Sequence, residues 1–346
     1  MNVTAQQNTI HANRSAQHGT MKAVVREIYG PPEVLKLTEL PKPTPKDNEV
    51  LLKIHATTVT SADCRLRGLK VPAGFGLIIR LAMGVVRPKQ TVLGSEFAGE
   101  VEAVGKNVTQ FKVGDRVFGM SGTAMGAHAQ YKCVAEKGAL ALIPPSLSYE
   151  EAAALPFGGT TALDFLRRGG LGAGDKVLVN GASGAVGVAL VQLARHLGAE
   201  VTAVCSGANA ELVRSLGAQR VIDYTREDFT AGREVYDVIA DTVGTAPFVR
   251  SKLSLGKGGR LLLVLATLGQ MLLAPWESVI SGKKVVAGPA SERAEDVRFL
   301  ARLAQEGSLE PVIDRRYSLE QIAEAHRYVE TGRKRGSVVI TVSHGD

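Results

Sequence analysis

The chain has 346 residues, which exceeds the usual size of one hydrophobic core and predicts two domains. Forty-one basic against 34 acidic residues leave a net charge of +7, scattered without blocks of like sign; this excludes a charged interaction tail and suits a phosphate-bearing ligand as readily as nucleic acid. Arg80 interrupts GFGLIIRLAMGVV and Gln270 interrupts LLLVLATLGQMLL, so no membrane span is expected, and three distant cysteines, Cys64, Cys133 and Cys205, predict a reducing, cytoplasmic setting.

Residues 1–20, MNVTAQQNTIHANRSAQHGT, are polar and aperiodic and read as a disordered extension. From 21 to about 150, short β-rich runs (KAVVREI, VLKLTEL, EVLLKIHATTV, FAGEVEAVG, DRVFG, AQYKCV) alternate with Gly, Pro and Asp turn signals, the pattern of a β-barrel-like unit. The apolar insert VPAGFGLIIRLAMGVVRPKQ, residues 71–90, is expected either to pack on the barrel or to roof a pocket. From 151 to about 312 the rhythm becomes strand then helix: KVLVNG, a helix to about 198, EVTAVCS, AELVRSLGA, RVIDY, YDVIADTVG, RLLLVLA. Such alternation predicts a doubly wound parallel sheet. In the tail, 313–346, SLEQIAEAHRYVETG reads as a helix and SVVITV as a strand returning to the first unit.

NGASGAVG, residues 180–187, joins the strand KVLV to a helix whose apolar face is Val186, Leu190, Leu193, Ala194 and Leu197. In register with a dinucleotide-binding fingerprint, Gly184 and Gly187 take the last two glycine places and Ala182 falls on the first. Gly184 lets main chain approach a diphosphate, Gly187 lets helix approach strand, and Gly181 eases the turn. The free N–H groups of Ser183, Gly184, Ala185 and Val186 then face the anion. At the end of the next strand an NAD site would carry an acid; this chain has Ser206. A 2′-phosphate is accepted there, with Asn209, Tyr224 and Arg226 nearby, and NADPH is the expected cofactor; indifference between the two coenzymes is the alternative. Thr242, Val243 and Gly244, and Leu265 and Ala266, follow later strands and are expected to border the cofactor, since ligands sit at the carboxyl ends of parallel strands.

The order of LGSEFAGEVEAVG, VGDRVFG, AALPFGGTTAL, the GASGAVG turn and SLGAQRVIDY resembles the medium-chain dehydrogenase/reductase superfamily, and more narrowly its zinc-free quinone oxidoreductase branch, over residues 21 to 343. The resemblance implies an α/β chain: a GroES-like β-barrel catalytic domain (21–150), a Rossmann domain holding NADPH (151–312), and a C-terminal segment (313–346) closing the first unit. It also implies homodimers paired through Rossmann sheet edges, and hydride transfer to quinones or α,β-unsaturated carbonyls. The positions that carry zinc ligands in alcohol dehydrogenase relatives hold Thr60 and Ser95, and Glu96 alone does not make a site, so no metal is expected. Without a Lewis acid the substrate should itself be electrophilic. Thr60 and Arg65 match residues lining the catalytic pocket, where Arg65 replaces an aromatic hydroxyl and either stabilises developing negative charge, with water supplying the proton, or is a surface arginine; the proton donor stays open. Thr161 matches a position against the nicotinamide, although a helix cap explains it equally, and Asp63 is expected to orient backbone or Arg116. Arg333 is a further phosphate contact, with a solvated basic turn as the alternative.

Two other readings stay open: a zinc-free dehydrogenase of alcohols and carbonyls, and a non-catalytic cofactor-binding protein acting as a sensor or on RNA. Aromatic residues make up only 5% of the chain and no basic stripe is interleaved with them, so nucleic acid is not the expected partner.

Overall fold

The computed structural model describes residues 19–345 apart from Arg233. The expected N-terminal extension lies outside these residues as far as 18; the first strand, β1 (Thr20–Val25), opens one residue before the expected start and pairs antiparallel with β2 (Lys36–Pro41). A seven-membered sheet follows, built from β3 (Glu49–Thr58), β4 (Glu96–Val104), β5 (Arg116–Met120), β7 (Ala139–Leu142), β14 (Ile313–Ser318) and β15 (Ser337–Thr341) in the order β14-β15-β3-β4-β5-β7; β6 (Tyr131–Ala135) pairs with β3 off this path. Leu52, Ile54, Phe97, Val101 and Val117 face inward as apolar side chains on alternate strand positions do, and Val338 and Ile340 of β15 complete their core.

The second sheet is parallel: β8 (Lys176–Asn180), β9 (Glu200–Cys205), β10 (Arg220–Asp223), β11 (Tyr236–Asp241), β12 (Leu255–Leu263) and β13 (Lys284–Ala287), in the order β10-β9-β8-β11-β12-β13. Strand alternation divides its apolar side chains between two faces. Val177, Val179, Ala203, Ala240 and Leu262 pack with the Pro156–Gly169, Ala185–His196 and Ala294–Gln305 helices. Leu178, Val204, Ile239 and Leu261 face the other way, toward Phe229, Ala246 and Ala274. Burial on both faces explains why these strands read as unbroken apolar runs. The strand order reverses between β8 and β11, which marks the crevice where a doubly wound sheet takes its ligand.

The last strands, β14 (Ile313–Ser318) and β15 (Ser337–Thr341), return to the first sheet, where β15 lies antiparallel to β3. The chain is thus an α/β protein with a GroES-like unit and a Rossmann-type sheet.

The 71–90 insert neither lies wholly on the barrel nor roofs the cleft described below. It forms a helix, Gly76–Met83, with Leu77, Ile78 and Leu81 exposed. Tyr29 Oη donates to the Gly84 carbonyl at 2.8 Å, and Leu268 N donates to Ala73 at 3.0 Å, so the insert bridges from the first unit to the start of the Leu268–Ser281 helix. Among the described residues no helix is long and apolar enough to cross a membrane.

Candidate active site

A cleft of about 1480 Å³ runs between the two units. Its middle is the glycine-rich turn after β8. Gly181 has φ +80°, a left-handed backbone suited to glycine, and a Cβ there would lie 2.4 Å from Thr242 Oγ1. Gly187 packs behind the turn, where a Cβ would stand 2.2 Å from the Gly181 carbonyl oxygen. Gly184 is the N-cap of the Ala185–His196 helix and no side chain caps that end, so its first N–H groups are free to meet an anion in the cleft. A Cβ on Gly184 would approach nothing nearer than the Gly181 oxygen at 3.6 Å. Two bonds hold the turn from outside: Asn209 Nδ2 to Ser183 Oγ at 3.0 Å, and Gly336 N to the Ser183 carbonyl at 2.8 Å.

At one end the cleft is lined by Ser206, Asn209, Tyr224, Arg226, Arg333 and Arg335. The Ser206 hydroxyl is not used as a helix cap. The nearby acid, Asp223, accepts from Thr225 N and Oγ1 at 3.0 and 2.8 Å, bonds that hold its pKa below the usual carboxylate range, and it does not line the cleft.

At the other end stand Thr58, Thr60, Arg65, Glu96, Phe157 and Thr161. Thr60 begins the Ser61–Gly68 helix with a reciprocal capping box: its Oγ1 accepts from Asp63 N at 3.1 Å and donates to Asp63 Oδ2 at 2.6 Å. Asp63 Oδ1 also accepts from Gly94 N at 3.1 Å. Asp63 therefore orients backbone, as expected, but not Arg116, which donates to the Leu147 carbonyl and lies over the Tyr149 ring. Arg65 is half-buried, and burial lowers its pKa. Thr161 is not a cap: the Pro156–Gly169 helix has Leu155 at its N-cap, and Thr161 sits further along.

Glu96 is the unforeseen group. It is 2% exposed, its Oε2 accepts from Thr58 Oγ1, and its Oε1 accepts from Phe157 N at 2.6 Å, at the first turn of the Pro156–Gly169 helix. Burial pushes its pKa up to about 7 against the pull of these bonds. Lys334 shares this environment. Its ammonium turns inward to donate to the Gly336 carbonyl at 2.6 Å, and burial brings its pKa down to about 8.

Of the residues expected to meet the cofactor, Thr161, Gly181, Ser183, Gly184, Ala185, Val186, Ser206, Asn209, Tyr224, Thr242, Val243, Leu265 and Arg333 line the cleft. Ala182, Gly187, Gly244 and Ala266 do not. Ala182 is fully buried, and Gly187 serves packing. Among the described residues no histidine lines the cleft: His128 bonds the Thr58 carbonyl and His326 faces Cys64 and Arg67, with both pKa values lowered by burial. Cys64 is buried and its thiol is pushed up to about 12, a packing group and not a nucleophile. Among the described residues no three His, Cys, Asp or Glu side chains converge as a metal site would require.

Residues 46–145 match the family model for the alcohol dehydrogenase GroES-like domain, and residues 216–340 match that for zinc-binding dehydrogenase. The chain is 33% identical over 332 residues to 2-methylene-furan-3-one reductase of Solanum lycopersicum, covering 92% of this chain and 79% of that protein. It is 32% identical over 332 residues to the chloroplastic NADPH-dependent alkenal/one oxidoreductase of Arabidopsis thaliana, with the same 92% and 79% coverage. Among solved structures, the quinone oxidoreductase from Coxiella burnetii matches with a TM-score of 0.81 at 29% identity, over 94% of this chain and 100% of that one. On sequence and fold together, the chain belongs to the medium-chain dehydrogenase/reductase superfamily, in its quinone oxidoreductase branch.

Proposed function

We propose that the protein is a zinc-independent, NADPH-dependent reductase of quinones or α,β-unsaturated carbonyls. The observation that carries the reading is a single cleft joining an uncapped helix N-terminus, and a rim where Ser206 ends β9 in place of an acid beside Arg226 and Arg333, to a catalytic end where no metal-ligand set converges among the described residues. Zinc needs three protein ligands; Thr60 and Ser95 are hydroxyls, and Glu96 is engaged by Thr58 and Phe157, so the donor set does not fit.

The residues do fit a dinucleotide. Gly184 and the N–H groups of Ala185 and Val186 would hold the diphosphate, and Ser206, Asn209 and Arg226 the 2′-phosphate, with Arg333 beside them. Bound NADPH supplies the hydride. The chain's part is to align acceptor and donor at Thr161 and to exclude water. Arg65, partly desolvated and forming no ion pair among the described residues, stabilises the negative charge that hydride brings to an enone or quinone oxygen. Thr60 holds that end of the cleft in shape, because its hydroxyl proton is engaged by Asp63.

Two assays test this. NADPH oxidation should run at least about tenfold faster with a quinone or an enal than with a saturated aldehyde, in protein lacking stoichiometric zinc, since one missing stabilising interaction of this kind costs that much or more. Ser206→Asp should raise KM for NADPH about tenfold or more while leaving NADH turnover intact, through repulsion of the 2′-phosphate. A zinc requirement for turnover, or an unchanged coenzyme preference, refutes the respective part.

We propose further that residues 21–150 with 313–346 form the catalytic unit, 151–312 the dinucleotide unit, and that two chains join along the outer edge of β13. The adjoining Leu268–Ser281 helix leaves Leu272, Leu273, Trp276, Val279 and Ile280 exposed, Trp276 by 66%, an apolar face suited to burial in a homodimer. Light scattering should give twice the mass of the 36.6 kDa chain, and Ile280→Asp should return it to one chain; a wild-type monomer at micromolar concentration contradicts the pairing.

A further inference from the structure

The reduction proposed above needs the two units held in register, and one buried side chain spans their seam. Glu96 opens β4 in the first sheet, yet its Oε1 accepts from Phe157 N in the helix that packs under the Rossmann sheet, and its Oε2 accepts from Thr58 Oγ1 at the end of β3. We propose that Glu96 is a positioning residue for hydride transfer, its carboxylate acting as an N-terminal cap in trans that fixes the Pro156–Gly169 helix, and with it Thr161, against the catalytic ends of β3 and β4. This rests on the reading above, because Thr161 matters only if a nicotinamide lies beside it.

Three features support the assignment. The helix has no cap of its own: Leu155 at the N-cap has no polar side chain, and Pro156 at the next position has no N–H, so Phe157 N is the first donor that needs an acceptor. A carboxylate at that end also meets the positive end of the helix dipole. Lastly, the Gly332–Gly336 turn closes the same tie from the opposite side, with Lys334 within electrostatic reach of Glu96 and Gly336 N bonded to Ser183. One carboxylate thus connects the catalytic strands to the helix carrying Thr161.

The tie depends on charge. The ionised carboxylate accepts from both donors at once. A protonated one can still accept from Phe157 N through Oε1 while Oε2 donates to the Thr58 hydroxyl, but it gives up the attraction to the helix end. Burial places this change near neutral pH, at about 7. The charged groups facing Glu96 are Lys334 from the turn, which favours ionisation, and Asp63 from the Ser61–Gly68 helix, which opposes it; Arg65 and Glu292 line the same cleft.

The test compares wild type with Glu96→Gln and Glu96→Ala between pH 6 and 8.5. Wild-type kcat with a quinone should fall a few-fold on the acid side, toward the value of Glu96→Gln, with an apparent pKa near 7. Glu96→Gln keeps an acceptor for Phe157 and a donor for Thr58, so its kcat should drop only a few-fold and lose that pH dependence. Glu96→Ala should lose about tenfold or more in kcat, with KM for NADPH changed less than about twofold, the signature of lost alignment without lost binding. A readout without turnover accompanies these. Because folding raises this acid's pKa, the stability it contributes is full at acid pH and is lost as pH rises through 7; the melting temperature of cofactor-free Glu96→Gln relative to wild type should therefore climb over that range. Wild-type kcat in Glu96→Ala, an unchanged pH profile in Glu96→Gln, or a flat difference in melting temperature would each overturn the assignment. Failure of wild type to bind NADPH, followed by its own fluorescence, would instead refute the function, and the melting comparison would still decide whether Glu96 titrates as stated.

Discussion

Gly184→Asp should leave the cofactor-free protein as stable as wild type, or slightly more so, and abolish coenzyme binding. Gly184 has φ −78° and ψ 172°, the extended geometry of an N-cap, and a Cβ there would meet no atom nearer than the Gly181 oxygen at 3.6 Å. Aspartate is among the preferred N-cap residues and gains a few tenths of a kcal/mol over glycine at such a site. The same carboxylate would occupy the N–H groups proposed for the diphosphate and repel it, so the dissociation constant for NADPH should rise roughly a hundredfold or more, about 3 kcal/mol. Gly187→Val supplies the contrast. Its Cβ would stand 2.2 Å from the Gly181 oxygen and 2.7 Å from the Ala182 backbone, so helix and turn must separate and stability should fall by about 3 kcal/mol. Calorimetric melting and NADPH titration of both variants check the pair; comparable destabilisation in both, or retained binding in Gly184→Asp, contradicts the assignment of roles.

A second large effect is expected at Asp241, at the carboxyl end of β11. Its buried carboxylate accepts from Val243 N at 3.1 Å, Gly244 N at 3.0 Å and Ala246 N at 2.8 Å, and from Asn180 Nδ2 at 3.0 Å. It therefore folds the 242–246 loop back against β8, and places Thr242 and Val243 in the cleft. Asp241→Ala leaves those donors without an acceptor, each costing about 1–3 kcal/mol before relaxation. A loss of about 3–5 kcal/mol is expected, comparable to breaking a buried charged pair. The melting temperature should drop by roughly 10 °C, and coenzyme affinity should fall in the protein that remains folded. A drop within about 2 °C would show that water replaces the carboxylate without cost.

The parallel sheet was legible because its strands are apolar on both faces and the period changes abruptly at Gly181. The glycine-rich turn was legible for the same reason. Other elements carried weaker signals. The Leu268–Ser281 helix lies in a nearly continuous apolar stretch, contains Pro275 and buries only Ala274, so no polar stripe reveals its period. β14 reads IDRRYS, an edge strand with no fully buried residue to mark alternation. The Ser61–Gly68 and Leu268–Ser281 helices start at reciprocal caps three residues apart, Thr60 with Asp63 and Thr267 with Gln270, a spacing that the reading of the sequence did not use. Glu96 was illegible as a tie because its partner, Phe157, lies 61 residues away; the sequence offers only a lone acid in a strand of small and apolar residues. Lys334 was hidden within the basic string GRKRG, in which only the folded chain separates an inward ammonium from outward guanidinium groups.

The placement of β15 between β14 and β3 bears on how the molecule is made. During synthesis β3 leaves the ribosome with one edge lacking the neighbour it will have in the finished sheet, and that neighbour is encoded some 280 residues later, at Val339 to Thr341. The parallel sheet, contiguous in the chain from β8 to β13, has every strand to hand well before then. Vectorial assembly therefore favours a nascent intermediate in which the parallel sheet is built and the first sheet waits, open-seamed, until residues 337–341 emerge.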